Sequence, residues 1–378
     1  MFGYNHAMKN LRVMGIMSGT SIDGVDYALC EINSGQIQLK KLWSAQFPAM
    51  LKNKLHQAAS NDLSSWEVSQ LHHDLGRFYA NEAARGKIKP QLIGLHGQTI
   101  FHNPNKKNPA TFQLGEPAYL VEKFRVPVVS NFRAADLAAG GEGAPLATIF
   151  HQLVFGECGK HICVNNLGGI SNVTSINWKN KTAGVLAFDT GPANMLTDFA
   201  MRYFTKGKKT FDKNGEWAAR GIASETLLKK WLQHPYFKKT PPKSTGRELF
   251  GELFFKKVIR EMGALSCFDA LATFAEFTAR SLAMNYKLHL KSAPDKIILT
   301  GGGALNPTLI RAIRQNILAT YEKEIEMVTS EEMGWPVEAI EPAAFAWLAF
   351  LRWKRKAGNL PQTTGAKRVV LCGQISEP

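Results

Sequence analysis

Two stretches far apart in the chain follow one plan. The first runs from the strand-like "LRVMGIMS" (11–18), through a loop of glycine, serine, threonine and aspartate, into the apolar runs "VDYALCEI" (25–32) and "IQLKKLWSAQF" (37–47). The second runs "HICVNNLGGISNVTSI" (161–176), then "VLAFDTGPAN" (185–194), then a helix from about Met195. Strand, turn, strand, strand is how a sheet with hairpin connections begins, since β-branched and apolar residues suit a pleated surface and Gly, Ser and Asp suit turns. The echo has no fixed short period, so it points to two copies of one fold rather than a repeat array. At 378 residues the chain is too long for one ordinary core, and two domains are expected.

Elsewhere the period changes. "LSSWEVSQLHHDLGRFYANEAARG" (63–86) carries Leu71, Leu75, Phe78 and Tyr79 at helical spacing. "QLIGLHG" (91–97) reads as a strand, while "ELFGELFFKKVIREMG" (248–263) and "DALATFAEFTARSLAMNYKLHL" (269–290) read as helices. "DKIILTGGG" (295–303) is a strand ending in three glycines, which feed a helix in "ALNPTLIRAIRQNI". "AAFAWLAFL" (343–351), bounded by Glu341 and "RWKRK", suits a buried or docking helix and is too short to span a bilayer. The Gly-rich polar section at 126–147 is read as the domain junction, giving one domain of 1–135 plus 343–378 and a second of 136–342. The lysine-, proline- and glycine-rich stretches 205–220 and 234–248 are expected to be mobile surface loops.

Composition narrows the function classes. A hydrophobic fraction of 45% with 20% charged residues is that of a soluble globular protein. "MFGYNHAMKNLRV" lacks a basic region followed by an apolar core, so a cytoplasmic location is expected, with no membrane partner. Five cysteines without a C-x-x-C pair suggest neither a disulfide framework nor a zinc site. The net charge of +15 raises nucleic acid as a partner, but the lysines lie in scattered loops with no zinc finger or RNP-like strand beside them. No nucleic acid is expected; the positive field suits a small anionic substrate.

Three glycine-marked loops, 15–24, 188–194 and 300–303, each follow an apolar strand. "MGIMSGTSIDGVD" (14–26) alone reads as a surface turn or as a phosphate-wrapping loop. Three such loops together point to a nucleotide gripped between two domains by backbone N–H groups. A Walker loop and a dinucleotide fingerprint are both absent.

This pattern resembles the actin and sugar-kinase superfamily. Within it, "GIMSGTSIDGVD", "GLHGQTIFH", "SNFRAADLAAGGEGAPL", "NLGGISNVT", "FDTGPAN", "KSTGRE", "LTGGGALNP" and "PQTTGAKR" together resemble the anhydro-N-acetylmuramic acid kinase family, from about residue 13 to about residue 370. The resemblance implies an α/β fold of two related actin-like ATPase lobes, each a mixed sheet with flanking helices, around a nucleotide cleft. It also implies a bacterial enzyme of cell-wall recycling that uses ATP and Mg²⁺. Such an enzyme adds water across the 1,6-anhydro bond of a small sugar and phosphorylates O6, giving N-acetylmuramate 6-phosphate and ADP. A homodimer is expected. The alternatives are a plain sugar or acid kinase of the same fold and an actin-like regulatory ATPase.

Residues carry over where motifs match. Gly19, Thr20, Ser21, Ile22, Asp23, Gly24, Val25 and Asp26 correspond to the first ATP-phosphate loop. Gly168, Gly169, Gly191, Asn194 and Glu341 join the nucleotide set, and Gly301, Gly302 and Gly303 form the adenosine-side turn. The sugar set is His96, Thr99, Arg133 and Asp136. Asp189 matches the family's general base, and its position before a Gly-Pro turn also fits a helix N-cap. Asp23 and Asp26 either bind Mg²⁺ through water or form Asx-turns. Arg133 either takes the sugar's carboxylate or pairs with a surface acid. His96 is a sugar contact or a structural hydrogen-bonder. Arg247 and Glu248 close over the substrate or pair with each other. The chain departs from the family at Ala193, often glycine there, and at Pro342, usually alanine.

Overall fold

The computed structural model describes residues 10–19, 22–104, 107–178 and 184–378, so Thr20 and Ser21 lie outside the described residues. The chain divides into two compact units, Met1–Val154 with Glu338–Pro378, and Phe155–Val337.

The first unit holds β1 (Leu11–Ser18), β2 (Gly24–Ile32), β3 (Ile37–Gln46), β4 (Leu92–Asn103), β5 (Ala110–Leu114) and β6 (Val128–Ser130). The second holds β7 (His161–Leu167), β8 (Ile170–Asn177), β9 (Gly184–Pro192), β10 (Lys296–Thr300) and β11 (Glu326–Thr329); β12 (Gln374–Ser376) returns to the first. The sheet orders are β12-β6-β4-β1-β2-β3, with β5 on β4, and β11-β10-β7-β8-β9. In both, three consecutive strands run antiparallel (β1-β2-β3 and β7-β8-β9). In both, the first of the three also pairs in parallel with a later strand, which pairs in parallel with the next (β1-β4-β6 and β7-β10-β11). The echo in the sequence is thus one mixed five-strand order used twice, with helices packed against each sheet. The short β5 and β12 decorate only the first copy.

In the first unit the helix Ile340–Trp353 is buried from Pro342 to Leu351, as its all-round apolarity requires. It lies hard against β1 and β4. A Cβ on Gly15 would stand 1.8 Å from the carbonyl oxygen of Pro342, and one on Gly94 would stand 2.4 Å from that of Phe345. Leu55, Leu71, Leu75 and Tyr79 from the helices Ala49–Ala59 and Ser65–Arg85 join strand residues such as Ile16 and Ile93 in one core cluster. Ser64 and Glu67 cap the second of these helices reciprocally.

The units part at 154/155 and 337/338 rather than at 135/136 and 342/343. At the first boundary the Gly-rich section stays with the first unit through a lock. Asp136 accepts from Asn359 Nδ2 and Thr364 Oγ1, both at 2.7 Å, and Glu142 N donates to the Thr364 carbonyl at 2.7 Å. The Gly-rich section is therefore stitched to the C-terminal segment.

In the second unit the helix Cys267–His289 runs through the core. Trp231, Tyr236, Phe237, Phe250, Phe274 and Phe277 pack as an aromatic cluster, with Trp231 stacked on Phe274 at 5.6 Å. Tyr236 and Phe237 sit inside the stretch expected to be a surface loop, and Lys243 is also buried. In the other such stretch Asp212 accepts from the N–H groups of Trp217 and Ala218, each at 3.0 Å. Lysine-rich composition hid these buried anchors.

Gly15→Val forces a branched side chain into the Pro342 carbonyl. It should cost about 3 kcal/mol in urea unfolding, whereas Gly35→Ala, with open space around it, should change stability by no more than about 0.5 kcal/mol.

Candidate active site

Asp189 lies on β9, opposite Asn172 of β8, at the outer edge of the second sheet. Its backbone N–H donates to the Lys243 carbonyl at 3.1 Å, and its carbonyl accepts from the Tyr236 hydroxyl at 2.8 Å. Its carboxylate Oδ2 accepts from Thr245 N at 2.7 Å. The segment 236–245 is thus strapped along the open edge of β9. The N-cap reading fails, because the helix Asn194–Phe204 is capped by Ala193 with no side-chain bond. The φ of Ala193, −123°, lies outside the glycine region, so alanine is tolerated there.

Beneath the strand, Lys243 Nζ donates to Asn285 Oδ1 at 2.6 Å. Asn285 Nδ2 donates to the carbonyls of Thr190 (3.1 Å) and Ser281 (2.7 Å), and Thr278 Oγ1 donates to that of Pro192 (3.0 Å). Thr278, Ser281 and Asn285 form a buried polar row on a mostly apolar helix; Thr278 and Asn285 clasp the "DTGP" backbone, and the Ser281 hydroxyl donates to the Thr278 carbonyl at 3.0 Å. Gly191 has φ of +134°, and a Cβ there would meet the Phe237 ring at 2.8 Å. Sequence reading missed Tyr236, Lys243, Thr245 and Asn285. The available signal was the spacing of 278, 281 and 285 along one helical face.

The remaining glycine turns of the second unit converge on Asn194. The Gly168 carbonyl accepts from Asn194 N (3.0 Å), and that of Gly169 accepts from Ala193 N (2.9 Å) and Met195 N (3.2 Å). Asn194 Nδ2 donates to the Leu167 carbonyl at 2.8 Å. A Cβ on Gly301 (φ +78°) would stand 2.2 Å from Asn166 Oδ1, and one on Gly303 would stand 2.7 Å from Leu167 Cβ. Around Gly302 the nearest such atom, Asn194 Nδ2, is 3.9 Å away. The first N–H groups of the helix are occupied by turn carbonyls. Gly168, Gly169 and Gly302, whose nearest such atoms stand 3.5, 3.5 and 3.9 Å away, have room beside them, unlike Gly301 and Gly303. The triple glycine enters a single 3₁₀ turn, Gly302–Leu305, before the helix Pro307–Tyr321, which Asn306 caps.

In the first unit the loop after β1 is held from below: Gln98 Nε2 donates to the Gly19 carbonyl at 3.0 Å. Ile22, 3% exposed, and Val25, 1% exposed, belong to the core, and a Cβ on Gly24 would meet the Ala45 carbonyl at 2.5 Å. These three side-chain positions serve the fold. Asp23 pairs with Lys52 at 2.8 Å, and Asp26 accepts from Ser44 Oγ at 2.5 Å. Burial raises the pKa of Asp26; Ser44 opposes this and the Glu338 charge adds to it. Glu341 is reached by solvent yet hemmed in by protein, which raises its pKa; Arg133 draws it down and Asp26 pushes it up again. Pro342 falls in the first turn of its helix, where a missing N–H has no intrahelical partner to lose. Among the described residues no group of three metal-type side chains comes together.

Arg133 donates from Nε and one terminal nitrogen to His96 Nε2, at 3.1 and 2.8 Å, and from the other to the Gly143 carbonyl at 2.9 Å. His96 Nδ1 faces the Gly97 carbonyl at 2.7 Å and must donate to it. The imidazole is therefore neutral, with its Nε2 lone pair turned to the guanidinium. Burial, then the Arg133 charge, hold its pKa well below the ordinary value. Burial brings Arg133 itself down to about 10, opposed by Glu341 and Asp136. These bonds run to neutral acceptors, which differs from the expected surface ion pair. Asp136 corrects another expectation. It is 0% exposed, and its oxygens are taken by Gly143 N, Asn359 and Thr364, so it anchors the loop and does not face a sugar. Thr99 is half-buried on β4 opposite Gln113. Arg247 and Glu248 are exposed at the start of the short helix Arg247–Phe250.

One mixed sheet used twice, with glycine turns at matching strand ends, defines a duplicated actin-like α/β fold. The family model described as anhydro-N-acetylmuramic acid kinase matches residues 11–378. The kinase of that name from Microcystis aeruginosa is 40% identical over 96% of this chain and 99% of its own length. The one from Picosynechococcus is 40% identical over 97% of this chain and 100% of its own. Among solved structures, the activator of the 2-hydroxyisocaproyl-CoA dehydratase from Clostridium difficile aligns over 91% of this chain and 96% of its own. At 12% identity and a TM-score of 0.44, it is too distant to argue from. The chain belongs to the anhydro-N-acetylmuramic acid kinase family. No helix among the described residues is long and apolar enough to cross a membrane.

The folded protein holds the Glu341 carboxyl above its ordinary pKa, so the fold binds that proton more tightly than the unfolded chain does. The cost is absent below the ordinary carboxylate range and present above it. Glu341→Gln should raise Tm at about pH 7.5, with the gain vanishing near about pH 4. Scanning calorimetry at the two pH values checks this, and a gain independent of pH would count against it.

Proposed function

We propose that this enzyme hydrolytically opens 1,6-anhydro-N-acetylmuramic acid and phosphorylates its O6 with ATP, giving N-acetylmuramate 6-phosphate and ADP. The observation that carries the reading is the clamped Asp189 in a chain that matches the family over residues 11–378. A carboxylate held at a strand edge by a backbone N–H is placed to accept a proton from water. Water then attacks C1 as the C1–O6 bond breaks, O6 bonds to the γ-phosphorus, and ADP leaves. The departing sugar oxygen goes to phosphorus, so no second carboxylate has to act as acid, in contrast to ordinary glycosidases.

Arg133, its fork aligned by a neutral histidine, suits the lactyl carboxylate of the sugar. Gly168, Gly169 and Gly302, with room beside them, suit close approach of the nucleotide, and Gly19 joins them from the matched loop. The donor set fits a magnesium ion held mainly through water, since that ion asks only one or two carboxylates of a kinase site. Asp26, in the field of Glu338 and Glu341, is the better candidate; Asp23 is engaged by Lys52. When bound, the ion neutralises charge on the phosphates. A cytoplasmic homodimer remains part of this reading, with sedimentation equilibrium as the check on its assembly.

Incubation with the anhydro sugar, ATP and Mg²⁺, followed by mass spectrometry, tests the reaction: a product gaining both water and phosphate is expected, and a plain kinase adds phosphate alone. Attack from the face opposite O6 requires the α anomer first, read by proton NMR before mutarotation. Asp189→Asn should slow ring opening and phosphate transfer together by about a hundredfold or more. A β anomer first, or near-normal turnover in that variant, would sink the mechanism.

Arg133→Lys keeps the charge but loses the planar fork. Its KM for the sugar should rise about tenfold or more, with ATP affinity unchanged in calorimetry.

A further inference from the structure

A lysine that is 7% exposed, with a neutral amide as its hydrogen-bond partner, is an expensive thing to build into a fold. Lys243 is such a residue. Its Nζ lies 4.9 Å from the centre of the Tyr236 ring and 5.9 Å from that of Phe188. These are the ring faces that favour a cation. The same residue's carbonyl accepts the Asp189 N–H at 3.1 Å, and two residues on, Thr245 N donates to the Asp189 carboxylate at 2.7 Å. Asn285 binds Nζ and the Thr190 carbonyl at once, which ties the ammonium to the residue next to Asp189.

We propose that Lys243 is a positioning residue for Asp189: a cation clamped beneath β9 by Asn285, stabilising the carboxylate form of Asp189 while its backbone holds that side chain in place. This rests on the reading of Asp189 as the base of the sugar reaction.

Among the described residues, the other titratable groups beside Lys243 differ from it in charge or in exposure. Burial, then the Asp189 charge, push the Tyr236 hydroxyl up, keeping it neutral. Burial and Lys243 lower the pKa of His289, which lies over Phe188 at 5.3 Å. Lys239 and Glu248 are exposed, where solvent screens them. Burial brings Lys243 down to about 8; the Asp189 carboxylate opposes that fall and Lys239 adds to it.

The experiment compares wild type with Lys243→Met, Lys243→Gln and Lys243→Arg, following kcat/KM for the anhydro sugar against pH and checking folding by thermal melts. Without the cation, Asp189 should protonate more readily, so the acid limb should move up by about one pH unit in the Met and Gln variants. Lys243→Arg should keep the limb near its wild-type position. Lys243→Gln can retain the bond to Asn285, so it decides the matter where Lys243→Met does not fold. An unmoved limb in a folded neutral variant, or an Arg variant that shifts as far as the neutral ones, overturns the proposal. A carbon-13 titration of the Asp189 carboxyl in wild type and Lys243→Gln gives the same shift without turnover. If wild type fails to consume the anhydro sugar, the proposed function falls; the carboxyl titration still judges Lys243.

Discussion

The open edge of β9 is the place on which the second unit's chemistry depends. An edge strand presents unpaired N–H and C=O groups, and proteins usually blunt such edges with charge or cover them. Here the edge is covered by the segment that follows the aromatic anchors Tyr236 and Phe237, and the cover is fastened at Asp189 itself. Fastening a strand and aiming a carboxylate are therefore one set of hydrogen bonds. On the opposite side, Asn285 and Thr278 take up the carbonyls of 190 and 192 and support the strand from the helix. A buried polar network of this kind rigidifies only if its members are satisfied, and the clasp meets that condition for the backbone it holds.

The two copies of the fold have diverged in what their glycines do. In the first unit Gly15 and Gly94 permit a helix to lie on the sheet almost at backbone contact, which is a packing role. In the second, Gly301 and Gly303 pack closely on Asn166 and Leu167, while the carbonyls of Gly168 and Gly169 take up the N–H groups of residues 193–195. A glycine next to a strand end is thus ambiguous. The missing side chain can make room for a ligand or for the protein's own backbone, and the neighbour distance distinguishes the two.

Polar groups in the first unit follow a similar division. Asp136 spends its whole carboxylate on tying the Gly-rich section to Asn359 and Thr364, and that lock moves the boundary of the unit. Arg133, only three residues earlier, is aligned by His96 and the Gly143 carbonyl, and its bonds consume no carboxylate. Polar residues three apart in one motif therefore do different work: one has its oxygens taken up inside the loop, and the other donates to neutral acceptors.

The sequence by itself determined the duplicated strand pattern, the amphipathic helices, the apolar helical run at 343–351 and the family, because these rest on local periodicity and on motifs whose residues lie next to one another. Asp189 stood out as a candidate for the same reason, standing between an apolar strand and a Gly-Pro turn. Only the tertiary structure decided that Ile22 and Val25 are core residues, that Asp136 is an anchor, and that Lys243 and Asn285 meet beneath β9. Lys243 and Asn285 are 42 residues apart, on a Lys/Pro-rich segment and an apolar helix. Nothing in either local pattern signals the other, because burial and hydrogen-bond partnership arise from how distant elements pack.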